Sequence, residues 1–327
     1  MGPFEFFGLV GVPALTGWAS TQLGEAQAAL FLNNLALQWG GFLAVALIPC
    51  YVTRKMMWVD VAWPWGLFAI GVQLYACGSG EWHRKAMISS SFVLCGLRMG
   101  VGALAMVPRK KSDFPRYYYA KKRWVRKNTF GLTEADMKIE AEGGKSTTLS
   151  VLMMLDVGMQ AAANSGACLV PGLVLAFDST PLAPLDTACY LLFWFALAFE
   201  TVADGQKIAF IAASSKDGGA RTALCEVGLW KYSRHPNYFG EWLVWISYAL
   251  FAAGSVARGS MHHAGSTATA LILALLLNLV YCLWVCLRWW TGAAPAEHFS
   301  KQRRPEYKDY IRRVSCIVPW FPLPKRE

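Results

Sequence analysis

The sequence predicts an all-α protein, a polytopic membrane helix bundle of about seven spans, and three observations carry that expectation. Of 327 residues, 55% are hydrophobic and only 16% are charged, with a mean hydropathy of +0.32. The apolar residues fall in blocks of about 20, the length a helix needs to cross a bilayer. Many tryptophans sit at block ends, as in the aromatic belts of membrane proteins, and Lys and Arg concentrate in alternate loops.

In chain order the spans lie near 28–52, 60–77, 87–107, 149–175, 186–213, 238–256 and 266–288. An eighth candidate, 4–20 (FEFFGLVGVPALTGWAS), is short enough to lie in the interface instead. The chain therefore reads as an N-terminal apolar segment (1–27), a first transmembrane half (28–107), a basic inside loop (108–148), a second transmembrane half (149–288) and a basic inside tail (289–327). Alternation puts 25 Lys and Arg in the inside segments 53–58, 108–148, 214–237 and 289–327. The outside segments 21–27, 78–86, 176–185 and 257–265 hold 3. That asymmetry is what the positive-inside rule demands, and one missed span would scramble it.

The net charge of +10 thus reads as topology plus attraction for anionic headgroups or a phosphorylated cofactor. The partners it implies are membrane lipids and an apolar small molecule; nucleic acid is not expected. The nine cysteines are scattered, without a CxxC pair. Cys282 and Cys286 share a helix face, but two cysteines do not make a site, so no metal is expected. No charged n-region and no Arg-rich presequence opens the chain. Targeting then rests on the spans, with the endoplasmic reticulum and a mitochondrial or plastid inner membrane as alternatives.

In the basic loop, TEADMKIEAE suits a short helix with Thr133 as N-cap and Glu134 and Asp136 in its first turn. Within the spans, ionisable groups are the informative positions, since each costs about 2.5–3.5 kcal/mol at the centre of an inserting helix. Asp60 opens the second span and Arg98 lies mid-way along the third. Asp156, Gln160 and Asn164 form one stripe at i, i+4, i+8. Helix-to-helix hydrogen bonding explains such a stripe as well as a cavity does. Glu200, Asp204, Gln206 and Lys207 gather at the inside end of the fifth span, and Glu241 sits one turn into the sixth. Asp204, Lys207, Arg234, Glu241 and Arg288 all fall within a turn or two of the inside face. Register-setting pairs would not need to share a leaflet, so a polar pocket opening inward is the better reading. Arg and Lys from several segments, with Tyr117, Tyr232, Tyr238, Tyr307 and Tyr310, suit a ligand with phosphates and flat rings. No GxGxxG follows a strand, and HExxH and GxSxG are absent. His235, before Pro236 at a helix start, reads as a supporting group.

Three segments carry a resemblance: DGQKIAF (204–210), GLWKYSRHPNYFGEW (228–242) and RRPEYKDYIRRVSCIVPWFP (303–322). Together they resemble the steroid 5-alpha-reductase C-terminal family, and more closely its bacterial and protist branch of mostly unknown function. VDVAWPWG (59–66), GLR (96–98) and SDFPRYY (112–118) follow the branch's N-terminal order, so the resemblance covers about 55–322. It implies a seven-helix membrane fold that holds NADPH on its inner side. The implied activity is an oxidoreductase acting on a CH–CH group, reducing a conjugated carbon–carbon double bond in a lipid or sterol-like substrate. Carried over residue by residue, the cofactor-binding positions are Arg98, Asp204, Lys207, Tyr232, Arg234, Asn237, Glu241, Tyr310, Arg312 and Arg313. Asp60 and Glu241 are the implied catalytic acids. The sequence departs from the pattern at CGLR, at Pro64, in the linker 211–227 and at GAAPAEHF, where relatives carry an apolar run before a glutamate. Those departures suit a second reading, a non-catalytic subunit of a larger organellar complex that keeps the fold. A third is an S-adenosylmethionine-dependent methyltransferase, since isoprenylcysteine carboxyl methyltransferases are similar at RHPxY-G.

Overall fold

A computed structural model describes residues 7–216 and 223–324. Residues 217–222, part of the altered linker, lie outside the described residues. The chain is all-α and forms a polytopic helical membrane protein; the sole extended pairing among the described residues is an isolated bridge between Ser233 and Ser315. The helices are α1 (Val12–Leu23), α2 (Glu25–Phe42, prolonged by a π-turn and a short helix to Thr53), α3 (Val59–Cys77), α4 (Trp82–Met106), α5 (Pro115–Arg126), α6 (Glu134–Ala141), α7 (Thr147–Ser165), α8 (Val170–Leu175), α9 (Pro184–Lys216), α10 (Pro236–Ala257), α11 (Gly265–Val285), α12 (Ala293–Arg303) and α13 (Tyr307–Arg313).

Among the described residues, five segments are long and apolar enough to cross a membrane: Glu25–Thr53, Trp82–Arg109, Pro184–Ser215, Pro236–Ala257 and Gly265–Arg303. The expected spans at 60–77 and 149–175 do form helices, but with weaker signals. The helix α3 carries Asp60, Pro64, Gln73 and two tryptophans, which dilute its hydropathy. The other breaks after Ser165, where Gly166 (φ −107, ψ −86) ends α7 before α8 begins. The stretch expected at 4–20 continues as helix only from Val12, preceded by a π-turn over Phe7–Gly11.

The chain divides into two compact units. The first comprises Met1–Ala188 and Tyr248–Leu279. Here α3 and α4 meet backbone to backbone: a Cβ on Gly71 would stand 2.6 Å from Ser89 O, and one on Gly96 would stand 2.6 Å from Pro64 O. Small residues allow that approach, which substitutes for the hydrophobic drive lipid does not supply. The polar stripe on α7 is structural at its far end. Asn164 donates to Gln38 Oε1 (3.3 Å) and Trp63 O (3.1 Å), and Gln38 donates to Asn34 Oδ1 (3.1 Å) and Gly66 O (2.9 Å). One amide cluster thereby ties α2, α3 and α7. At the N-terminus of α4, the fully buried Arg84 donates to Asp186 Oδ2 (2.7 Å) and to the carbonyls of Asp178, Thr180 and Pro181, while Arg258 pairs with Asp186 Oδ1 (2.6 Å).

The basic loop is ordered by its own chemistry. Asp113 accepts the backbone N–H groups of Met56 and Met57, both at 2.9 Å, and so satisfies two donors in the turn that leads into α3. Thr133 is the N-cap of α6, and Asp136 closes a capping box by accepting Thr133 N at 2.9 Å. Glu140, on the same helix, pairs with Arg54.

The second unit comprises Cys189–Ser247 and Val280–Glu327. It contains the conspicuous string RHPNYFGE, most of α9 and the basic tail.

Candidate functional site

Within the second unit, two turns set the geometry. Gly228 takes φ +52, a region open to glycine, and brings Leu229 N to Gln206 Oε1 at 2.8 Å. That turn lays Trp230 on α9, where its indole N–H donates to Ala203 O at 2.9 Å. The Lys207 ammonium then sits 4.5 Å above the Trp230 ring, a cation–π contact. Among the described residues no carboxylate pairs with it.

One turn into α10, Gly240 faces Glu200 so closely that a Cβ there would lie 2.6 Å from Glu200 Cβ and 2.9 Å from its backbone nitrogen. The close approach brings α10 against α9 and puts Asn237 Nδ2 3.1 Å from Asp204 Oδ1. The Asn237 carbonyl Oδ1 is buried and accepts no hydrogen bond. Glu241, on the same face one turn on, accepts the indole N–H of Trp245 at 2.8 Å.

The start of α10 is held by the tail. Arg234 N donates to Ser315 O at 2.9 Å, and Trp320 N to Tyr232 O at 2.9 Å. The Ser233 hydroxyl donates to Ile317 O at 2.7 Å and accepts His235 N at 3.1 Å. This clamp collects four side chains. Arg234 Nε donates to Glu297 Oε1 at 2.8 Å, and its Nη1 reaches Ile311 O at 3.0 Å and Val314 O. His235 Nε2 lies 3.4 Å from the same Glu297 oxygen, a long contact. Cys316 Sγ lies 3.7 Å from that oxygen. Burial pushes the His235 imidazole below its ordinary value, against the pull of Glu297, so the ring is neutral at neutral pH. Burial, with Glu297 adding to it, pushes the Cys316 thiol up.

The expected cofactor residues thus separate. Asp204, Lys207, Asn237 and Glu241 gather on α9 and α10, with Tyr232 exposed at 41% nearby in sequence and Arg312 exposed on α13. Arg234, Tyr310 and Arg313 have their polar groups committed internally: the Tyr310 hydroxyl donates to Trp230 O at 2.5 Å, and Arg313 pairs with Asp309 (2.6 Å) and Glu226 (3.0 Å). Burial pushes the Tyr310 phenol well up, in keeping with a neutral donor.

Arg98 and Asp60 belong to the first unit. Arg98 is half-buried on α4. Asp60 accepts the Tyr117 hydroxyl at 2.9 Å and pairs with Arg116 at 2.5 Å, leaving its Oδ2 buried and without a hydrogen bond.

Two members of the clamp were not singled out from the sequence. Glu297 was visible as the glutamate of GAAPAEHF, where the family pattern also ends in glutamate. Cys316 carried no signal, because it stands 19 residues from Glu297 in an irregular stretch.

Over residues 158–314 the chain is similar to the family described as "Protein of unknown function (DUF1295)", a stretch that encloses DGQKIAF and RHPNYFGE. No curated protein and no solved structure matches the chain.

Proposed function

We propose that the second unit binds NADPH at the inside end of α9 and the first turns of α10, and that the protein is a membrane oxidoreductase reducing a conjugated C=C bond of a lipid or sterol-like substrate. One observation carries the reading: a buried carboxamide acceptor, Asn237 Oδ1, has no partner and shares a face with Asp204 and Glu241. Buried polar atoms are nearly always satisfied, so an orphan acceptor between charged groups is a place for a ligand donor, such as the carboxamide of a nicotinamide. Lys207 adds an ammonium with no carboxylate partner, which suits a phosphate. Tyr232 and Arg312, both exposed, would extend the phosphate contacts. When bound, the cofactor supplies the hydride. This chain's residues orient it, and the flanking apolar helices exclude water from the reacting carbon.

A second reading is favoured by a different observation. Arg234, Tyr310 and Arg313 are spent on internal bonds, as a non-catalytic subunit retaining the fold would have them.

Purified protein in mild detergent separates the readings. NADPH is expected to raise the melting temperature, and Lys207→Met to weaken that stabilisation by roughly ten- to hundredfold in affinity, the loss of one charged hydrogen bond of about 1.5–3 kcal/mol. Asn237→Ala is expected to weaken it too. Stabilisation by S-adenosylmethionine instead would move the assignment to methyl transfer. Indifference to both would leave the subunit reading.

A further inference from the structure

We propose that His235, Glu297 and Cys316 form a binding site for a borderline divalent metal ion such as Zn²⁺, distinct from the cofactor reading above and independent of it. The three offer an imidazole nitrogen, a carboxylate oxygen and a thiol sulfur, the donor set zinc takes in proteins. All three donor atoms lie within 4.8 Å of one another.

Two of the three separations are close to those of a tetrahedral ion, and the third lies within 4.8 Å. Zinc bonds of about 2.0–2.3 Å imply donor-to-donor edges of roughly 3.3–3.6 Å. Here His235 Nε2 stands 3.4 Å from Glu297 Oε1, and Cys316 Sγ stands 3.7 Å from it. Hydrogen bonding holds the histidine only weakly. Its Nε2 is buried, and the polar atom beside it is the Glu297 oxygen at the long distance of 3.4 Å. A metal ion seated between the imidazole nitrogen and the carboxylate would satisfy both.

The surroundings support a held site. The Ser233–Ser315 bridge and the Arg234 N to Ser315 O bond (2.9 Å) place Cys316 against the start of α10. His235 is stacked on Tyr238 with ring centroids 5.0 Å apart and planes 6° apart, which fixes the ring. The Arg234 guanidinium is the feature that opposes a cation, since it lies 2.8 Å from Glu297 Oε1. It also plays the part of an outer partner that orients a ligating carboxylate. With one carboxylate and one thiolate balancing a divalent ion, the whole cluster carries the single positive charge of Arg234, beside the tail's surface. Three protein donors leave a fourth position for water or a substrate atom, the pattern of catalytic rather than structural zinc.

Binding requires the Cys316 proton to leave: the S–H bond breaks, the S–metal bond forms and the proton goes to solvent. Affinity is therefore expected to rise with pH.

The test uses Co²⁺ as the probe, titrated into the full-length, metal-stripped, reduced protein in detergent. One ion per chain is expected, with a thiolate-to-metal charge-transfer band and the strong visible bands of a tetrahedral centre, both displaced by Zn²⁺. Cys316→Ser is expected to remove the charge-transfer band, and His235→Asn to lower affinity at least tenfold. Both variants' thermal melts check that they fold. Zn²⁺ is also expected to shield Cys316 from alkylation by a maleimide. No Co²⁺ uptake, or a charge-transfer band that survives Cys316→Ser and so belongs to another of the cysteines, would overturn the assignment.

Discussion

Arg84 shows how much one side chain organises. It is fully buried, and its two terminal nitrogens reach three carbonyls and two carboxylates, those of Asp178 and Asp186, at 3.2 and 2.7 Å. Removing one partner of a buried ionic cluster leaves an uncompensated charge, which destabilises by about 3–5 kcal/mol, whereas an exposed pair contributes little. Arg84→Met is therefore expected to lower the melting temperature in detergent sharply. Lys138→Met is the comparison, because Lys138 and Glu142 form an exposed i,i+4 pair at 3.8 Å whose loss should leave the melt unchanged. Equal melts for both variants would mean that Arg258 alone holds the two aspartates. The contrast bears on the candidate site as well: Arg234 has the same buried, carbonyl-directed character as Arg84, whereas Lys207 does not. A sequence shows only that each is basic, and burial decides which of them remains available to a ligand.

Helices α9 and α10 meet where Gly240 faces Glu200, and that meeting aligns Asn237 with Asp204. A methyl group at position 240 would stand 2.9 Å from the Glu200 backbone, which cannot swing away as a side chain can. Gly240→Ala is expected to destabilise by about 1–3 kcal/mol through overpacking and to weaken NADPH-dependent stabilisation by splaying the two helices. Gly205→Ala, on the exposed face of α9 with nothing within 4 Å, is expected to gain about 0.5–1 kcal/mol from helix propensity alone. If both variants melted alike, the contact would not set the helix spacing. At this scale the sequence was readable where a local rule applied. Thr133 capped its helix, with Glu134 and Asp136 in the first turn, and Asp60 opened α3, whereas the helix of the Asp204 to Lys207 cluster runs on to Lys216. It was silent where partners are far apart: nothing local pairs Asn164 with Gln38, 126 residues away, or Arg234 with Glu297, 63 residues away. The stripe on α7 was legible as polar, but its role as a tie between three helices needed the neighbours.

Charge decides how the whole chain crosses the bilayer. Length and composition alone pick out five spans, and leave α3 and α7 in doubt because polar residues dilute them. If only those five crossed, the segment 108–148, with eleven Lys and Arg, would face the side opposite the tail at 289–327, with its eight. That arrangement contradicts the positive-inside rule, while seven crossings put both segments on the inner side. Two of the polar groups that weaken α3 and α7 find partners: Asp60 with Arg116 and Tyr117, and Asn164 with Gln38. A paired polar group does not carry the full penalty of one facing lipid, so hydropathy understates these two helices. The prediction is that Lys111→Cys and Gln302→Cys label alike with a membrane-impermeant maleimide, both only after sealed right-side-out vesicles are opened, whereas Ser79→Cys labels in intact ones. All three positions are exposed, so access depends on the side of the membrane rather than on burial. Labelling of Lys111→Cys in intact vesicles, with Ser79→Cys and Gln302→Cys protected, would show that α3 and α7 fail to cross, and would move the basic loop away from the compartment that holds the tail.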